Sequence, residues 1–294
     1  MSLETAFQQK LDKLDDYNGN DLLYENDFIQ QYLKTNDEAN YASQGEELAK
    51  VICPKFSSFI RSINHFKNTV FQKYPNAYNQ ALWGEHDGCY SEIFTSDNKN
   101  RTSSSVNIQR EKNIAKSLFN ITKCGRDILL DSRRLTRDLG EILDYEVPLN
   151  HASSRNIDLI SARAKTLYIL ELKKCHSQET LLRCLLEAYT YSCLVDRSRL
   201  KESFGFGQDT SICICPLIFD ESAAFEELKL ITKSHKSEDG STFFKLVNML
   251  RNHENGELGI EFAVIETKKF KDFLAQNGCA RDCDGKKFNE IWLE

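Results

Sequence analysis

The stretch NIDLISARAKTLYILELKK, residues 156–174, decides the fold. Two runs rich in Ile, Leu and Tyr, NIDLIS and TLYILEL, flank the short polar segment ARAK, and this pattern predicts two adjacent β-strands joined by a turn. Two carboxylates and a lysine lie in these strands, at Asp158, Glu171 and Lys173. The stretch therefore raises the question of whether these three side chains meet.

Strand geometry predicts that they do. Side chains alternate along a strand, so Glu171 and Lys173, two residues apart, project from the same face. A hairpin brings the strand of Asp158 within about 5 Å of its neighbour. Two carboxylates could then share a divalent cation, and their hard oxygens suit Mg²⁺ or Mn²⁺. On the alternative interpretation, Asp158 caps a turn and Glu171 and Lys173 form an exposed charge pair.

The Glu-x-Lys pattern of residues 171–173 occurs twice more in the chain, without an aspartate on a preceding strand. Glu227-Leu228-Lys229 lies in AFEELKLI, a helical pattern with no Asp-bearing strand before it. Glu266-Thr267-Lys268 ends a predicted strand, but the nearest preceding aspartate, Asp239, lies in a hydrophilic loop. The surrounding sequence therefore favours the hairpin, with Glu171 and Lys173, as the candidate metal site among the three.

The surrounding sequence predicts an α/β fold with a central mixed β-sheet flanked by helices and a helical N-terminal region. Further strands are predicted at EILDYEVPL, TSICICPLIF and LGIEFAVIE. Helical periodicity marks NIQREKNIAKSLFNI, GRDILLDSRRLTRDL, SQETLLRCLLEAYTYSCLVD, ESAAFEELKLI and TFFKLVNMLRN. The first 85 residues or so also have a helical pattern, so we expect a helical region over 1–100 and the sheet-containing domain, with a C-terminal extension, over 101–294.

Composition limits the class of protein. The chain has 294 residues, 40% of them hydrophobic, which is enough for a sizeable core. No run approaches the roughly 20 apolar residues of a membrane span, and the first residues are too polar for a signal peptide, so a cytoplasmic location without membrane association is expected.

The ten cysteines are scattered, which predicts reduced thiols. The pairs Cys213/Cys215 and Cys279/Cys283 are weak zinc candidates, and a core position explains the first more simply.

Charge is distributed unevenly along the chain. The net charge is −6, and residues 1–50 hold eleven acidic and four basic side chains. Residues 99–137 reverse this balance, with ten basic side chains and three acidic ones. Such a basic segment is typical either of a phosphate-binding surface or of a solvated helix face.

The motif resembles the PD-(D/E)XK nuclease superfamily, whose core carries an Asp on one strand and an (Asp/Glu)-x-Lys on the next. LDYEVPL is similar to the strand that precedes the Asp strand, and the helix ETLLRCLLEAYTY falls where the superfamily has its second core helix. The resemblance covers about residues 105–220. Ile157 replaces the Pro of the motif, and Glu187 and Tyr191 occupy the positions of a Gln-x-x-x-Tyr pair.

The resemblance implies a restriction-endonuclease-like core that hydrolyses phosphodiester bonds in DNA or, less often, RNA. Asp158, Glu171 and the backbone carbonyl of Leu172 would hold Mg²⁺ or Mn²⁺, and Lys173 would orient or activate the attacking water. A second metal would need a further carboxylate, and the sequence leaves three candidates open: Glu111, Glu141 and Glu146. Phosphates would be held by basic residues of the 99–137 segment, Arg133, Arg134 and Arg137.

We therefore expect a Mg²⁺-dependent nuclease acting in restriction, defence or mobile-element biology. A homodimer is a further expectation, since enzymes that cut both strands often act as dimers. The alternative is a catalytically inactive module that binds nucleic acid or protein on the same fold. His151 and His176 flank the motif and are interpreted as incidental loop histidines.

Overall fold

A computed structural model describes the ranges 41–68, 140–149, 156–234, 241–253 and 258–268, together with residues 5, 111, 112, 114, 115, 118, 119 and 270. Most of the helical pattern predicted before residue 41 lies outside these residues. The predicted helix GRDILLDSRRLTRDL, with Arg133, Arg134 and Arg137, also lies outside them.

Two helices precede the sheet in the described part of the chain. Helix α1 spans Tyr41–Ile52 and helix α2 spans Phe56–Phe66, with a 3₁₀ turn at Cys53–Lys55 between them. Pro54 lies in this turn and explains the break, because proline cannot donate a helical hydrogen bond and its ring clashes with the preceding turn. The helical periodicity of this region is thus confirmed, with one interruption.

The sheet contains six strands in the order β1-β2-β3-β4-β5, with β6 also paired to β4. Strands β1, β2 and β3 are antiparallel, whereas β4 runs parallel to β3 and to both short strands. The strand bounds are Glu141–Pro148, Asn156–Arg163, Thr166–Lys173, Ser211–Phe219, Leu258–Ile260 and Ala263–Ile265 for β1 to β6. The predicted mixed sheet is therefore confirmed.

Helices cover one face of this sheet. After β3 the chain forms α3 (Leu181–Leu194) and α4 (Arg197–Ser203), and after β4 it forms α5 (Ala223–Ser234) and α6 (Thr242–His253). One core unites residues of all these helices, and of α1 and α2, with side chains of β3 such as Leu167 and Ile169. None of the described helices is long and apolar enough to cross a membrane.

A second core lies on the opposite face of the sheet. Alternate residues of β3, including Tyr168 and Leu170, pack there against Leu118 and Phe119. The six described residues between 111 and 119 have helical backbone, as predicted. Both faces of the sheet are thus covered, which explains the nearly continuous apolar runs of β3 and β4.

The final predicted strand, LGIEFAVIE, is wrong as a single element. It forms two strands of three residues, β5 beside Ile212–Ile214 of β4 and β6 beside Leu217–Phe219. The gap between these pairings contains Pro216, which has no N–H to donate to a neighbouring strand. The division into β5 and β6 is therefore explained by Pro216 in the neighbouring strand β4, and not by the sequence of LGIEFAVIE.

Two carboxylates fix α1 and α5 against the starts of other helices. Glu46 of α1 accepts hydrogen bonds from Ser241 Oγ (2.6 Å) and Phe243 N (3.1 Å) at the start of α6. Glu227 of α5 accepts one from Leu181 N (2.6 Å) at the start of α3, although it is only 1% exposed. Gly45 of α1 leaves room for this carboxyl, because a Cβ there would overlap Glu227 Oε1. Burial raises the pKa of Glu227 to about 8.

Glu227→Gln should reduce the pH dependence of stability. Because the pKa of Glu227 rises from 4.5 in an exposed chain to about 8 when buried, its stabilising contribution is complete below pH 4.5 and is lost as the pH rises to 8. Glutamine imitates the protonated acid, so the variant should gain stability relative to wild type between pH 5 and pH 8, by up to a few kcal/mol. Urea unfolding across this range measures the difference, and parallel curves for the two proteins would contradict it.

Candidate functional site

The hairpin brings Asp158 to the end of β3. The antiparallel pairing of β2 with β3 ends at Leu159 opposite Leu170. Continuing this register by one residue places Asp158 opposite Glu171. Asp158 Oδ2 accepts a hydrogen bond of 2.8 Å from Leu172 N, so this carboxylate takes the place of a backbone acceptor where the ladder ends. The turn that connects the strands contains Ala164 at φ 52° and is shorter than the predicted ARAK segment.

Lys173 lies at the centre of the site. Its Nζ is 2.7 Å from Glu171 Oε1, 2.9 Å from Glu187 Oε2 and 3.1 Å from Glu179 Oε2. Glu171 and Lys173 are 3% and 4% exposed. The alternative of an exposed cross-strand pair is therefore wrong for these two residues, which form a buried ion cluster with α3.

Helix α3 contributes a stripe of polar side chains to this cluster. Arg183 Nε lies 3.2 Å from Glu179 Oε2, and Tyr191 donates its hydroxyl proton to Glu187 Oε1 at 3.2 Å. Arg183, Glu187 and Tyr191 are spaced at intervals of four on one side of α3. Glu179 lies in the segment just before the helix. The sequence analysis noted Glu187 and Tyr191 only as an inexact motif and missed Glu179 and Arg183 as members of the site. For Arg183, its spacing of four from Glu187 within an otherwise buried helix was the available signal.

Burial determines the electrostatics of the cluster. It raises the pKa of Asp158 well above its usual range, although Lys173 opposes the rise. The pKa of Glu171 is also raised well above normal, by burial first and then by the charges of Asp158 and Glu187. Burial alone would lower the pKa of Lys173, but the neighbouring carboxylates outweigh it and raise that pKa well above its usual value.

The site contains more acids than bases. Among the described residues, five carboxyl groups lie around Lys173 and Arg183, and Lys174 also acts on one of them, Glu111; the acids are Glu111, Asp158, Glu171, Glu179 and Glu187. Burial also raises the pKa of Glu111. Glu171 and Glu187 are buried and the other three acids are partly exposed, so ionising all five at once is costly, and protons or a further cation would balance them. Their hard oxygens fit Mg²⁺ or Mn²⁺.

The three candidates for a further ligand are placed differently. Glu111 Oε1 accepts a hydrogen bond from Lys174 N at 3.1 Å, and its charge acts on Asp158. Glu146 also acts on Asp158 and is paired with Lys112 Nζ at 3.1 Å.

Glu141, in contrast, is not brought to the site. It pairs with Ala162, four residues along β2 from Asp158, which corresponds to roughly 13 Å of strand. Arg133, Arg134 and Arg137 lie outside the described residues, and the Leu172 carbonyl stays a predicted ligand.

Lys173→Met should destabilise the protein strongly at pH 8. The substitution keeps an apolar stem but leaves Glu171, Glu179 and Glu187 without their ammonium, and breaking a buried pair from one side costs about 3–5 kcal/mol. Because the folded-state pKa values of Asp158 and Glu171 are raised, these acids are more readily protonated at pH 5, where the loss should be smaller. Urea unfolding at the two pH values measures this difference.

Lys165→Met provides the matched control in the same hairpin. Lys165 pairs with Asp209 at 2.7 Å, but both side chains are largely exposed, and such pairs contribute little. The control should change the free energy of unfolding far less than Lys173→Met does. Equal losses in the two variants would show that the buried cluster has no special role in stability.

Comparison with known proteins gives no relative for this chain. No protein-family model matches it. No curated protein and no solved structure gives a significant match either. The resemblance to PD-(D/E)XK nucleases thus stays a prediction from the motif, and the functional argument depends on the geometry of the site.

Proposed function

We propose that the protein is a metal-dependent nuclease that hydrolyses phosphodiester bonds, with DNA as the favoured substrate. One observation carries the proposal: Asp158, Glu171 and Lys173 meet at one end of the hairpin, within a largely buried cluster in which the described carboxyl groups outnumber the described cations. Such an excess favours a divalent cation, and metal-dependent phosphodiester hydrolysis requires one beside its reacting groups.

Mg²⁺ or Mn²⁺ would be held by Asp158 and Glu171, with the Leu172 carbonyl as a further oxygen and with Glu111 or Glu146 as the acidic neighbours of Asp158. When bound, the ion would lower the pKa of a water ligand and neutralise charge on the phosphate. The half-buried position of Asp158 favours it as the side of the site that a substrate approaches, since Glu171 and Lys173 lie deeper.

Lys173 would hold positive charge beside the reacting phosphate, because its raised pKa keeps the ammonium protonated throughout the neutral range. Glu179 and Glu187 fix its position through their contacts of 3.1 Å and 2.9 Å. Arg183 and Tyr191 in turn orient these two glutamates. In this proposal α3 positions the lysine, and the hairpin carries the acids that bind the metal.

The second candidate function is an inactive module that binds nucleic acid or protein. The observation that favours it is the complete engagement of Lys173, whose ammonium lies within 3.1 Å of three carboxylates. On this interpretation the role of the ammonium is structural: its ion pairs hold α3 on the sheet. The two candidates predict different outcomes in one experiment.

Purified full-length protein should degrade DNA when Mg²⁺ or Mn²⁺ is added and should lose this activity with EDTA. Asp158→Asn should lower the cleavage rate by at least about 100-fold, because it removes a metal-binding charge and a bound metal contributes several kcal/mol of transition-state stabilisation. The variant keeps an oxygen for Leu172 N. Gel assays on single- and double-stranded DNA and RNA measure the rate and reveal the preferred substrate.

Asp209→Asn is the matched control, since Asp209 is an exposed aspartate paired only with Lys165 among the contacts described here, and its rate should equal that of wild type. Thermal unfolding of each variant establishes that it is folded. Cleavage that survives Asp158→Asn would refute the assignment. Metal-independent binding of nucleic acid without cleavage would support the inactive module instead.

A further inference from the structure

A second group of potential ligands lies beyond the ends of β3 and β4 and takes no part in the proposed nuclease site. Cys175, His176 and Glu221 each offer one ligand atom, and these atoms all lie within 4.8 Å of one another. Cys175 Sγ is 3.1 Å from Glu221 Oε2, and His176 Nε2 is 3.3 Å from the same oxygen. In the part of the chain that the structure describes, no other three His, Cys, Asp or Glu residues meet in this way.

The topology of the sheet explains why these residues meet. Strands β3 and β4 are parallel neighbours, with Lys173 opposite Ile218, so the segments that follow them leave the sheet at the same edge. Two backbone hydrogen bonds then join the segments, from His176 N to Glu221 O (3.2 Å) and from Ala223 N to Ser177 O (2.9 Å). The ligand atoms are therefore held by paired backbone rather than by independent loops.

The backbone at His176 adopts an uncommon conformation. Its φ of 57° lies in the left-handed region, which few non-glycine residues adopt, although asparagine, aspartate and histidine do so several times more often than the others. Strained residues persist where the surrounding structure imposes their conformation, and they are concentrated at functional sites. In this conformation His176 Nε2 lies 3.3 Å from Glu221 Oε2.

We infer that Cys175, His176 and Glu221 form a zinc-binding site. A thiolate and an imidazole favour Zn²⁺ over Mg²⁺, and a carboxylate completes a common set of zinc ligands. Two ligand atoms at ~2.0–2.3 Å from one zinc ion in a tetrahedron lie about 3.3–3.8 Å apart. Glu221 Oε2 is at a similar distance from its two neighbours, 3.1 Å from Cys175 Sγ and 3.3 Å from His176 Nε2. Three protein ligands leave the fourth position for water or another molecule.

The solvent exposure of the ligands and the contacts behind them are also those expected of a zinc site. The side chains of His176 and Glu221 are 72% and 44% exposed, so an ion can reach them from solvent. On the inner side, Thr267 Oγ1 lies 3.8 Å from Cys175 Sγ and donates a hydrogen bond of 2.6 Å to Asp220 Oδ1. Thr267 is almost fully buried, and such outer contacts orient metal ligands.

The inference goes beyond the proposed nuclease and does not depend on it. The zinc ligands share no side chain with the acidic cluster around Lys173, and they differ from it in chemistry, since that cluster offers only hard oxygens to a metal. A protein without nuclease activity could bind zinc here, and an active nuclease could lack the zinc site. The two proposals therefore fail separately.

Zinc titration of the chelator-treated full-length protein tests the site. We expect about one Zn²⁺ per chain and release of about one proton near neutral pH, because the Cys175 thiol must ionise to bind. Zinc should also raise the thermal unfolding midpoint, since it binds the folded state. Co²⁺, used as a spectroscopic probe, should give a thiolate-to-metal charge-transfer band that Cys175→Ser abolishes.

Three variants, Cys175→Ser, His176→Asn and Glu221→Gln, should each weaken zinc binding by more than the ~10–100-fold that loss of an outer contact costs. Asparagine is chosen at position 176 because it tolerates the left-handed backbone. Cys53→Ser and His65→Asn, at half-buried positions elsewhere, are the controls and should bind zinc as wild type does. Failure to bind zinc, or binding that all three site variants retain, would overturn the assignment.

Discussion

The arrangement of β3, β2 and α3 depends on the ion pairs that the Lys173 ammonium forms with surrounding carboxylates. The ammonium joins Glu171 of the hairpin to Glu187 of the helix and to Glu179 just before the helix, at contacts of 2.7 to 3.1 Å. Buried ion clusters rarely stabilise a fold better than well-packed apolar groups would, because each charge must first be removed from water. An interior that keeps this many charged groups is therefore better explained by chemistry or by specificity than by stability alone.

Local sequence was sufficient to predict most elements. The hairpin follows from two apolar runs around a short turn, and its period of two places Glu171 and Lys173 on one face. The strands β1 and β4 and the helices α3, α5 and α6 follow in the same way from the spacing of apolar residues. These predictions succeeded because each depends on residues that are close together in the chain.

The features that sequence analysis missed depend on distant residues. Arg183 joins the site because α3 packs against β3, and Glu179 joins it from the segment just before that helix. No local pattern states which strand a helix will cover. The division of the last strand has its cause at Pro216, some forty residues earlier in the chain. Likewise, His176 gained a partner only when the sheet placed Glu221 beside it, and an isolated loop histidine carries no such information.

The divided edge of the sheet also bears on how the molecule could associate with other copies of itself. An edge strand offers unpaired backbone groups along its length, and a long one is a template onto which another chain can add a strand. Strands β5 and β6 have three residues each and are separated by Glu261 and Phe262, so neither offers a continuous row of such groups. Another copy of the chain therefore finds no continuous strand template along β5 and β6, so an association at this edge would depend on the shape and charge of side-chain surfaces.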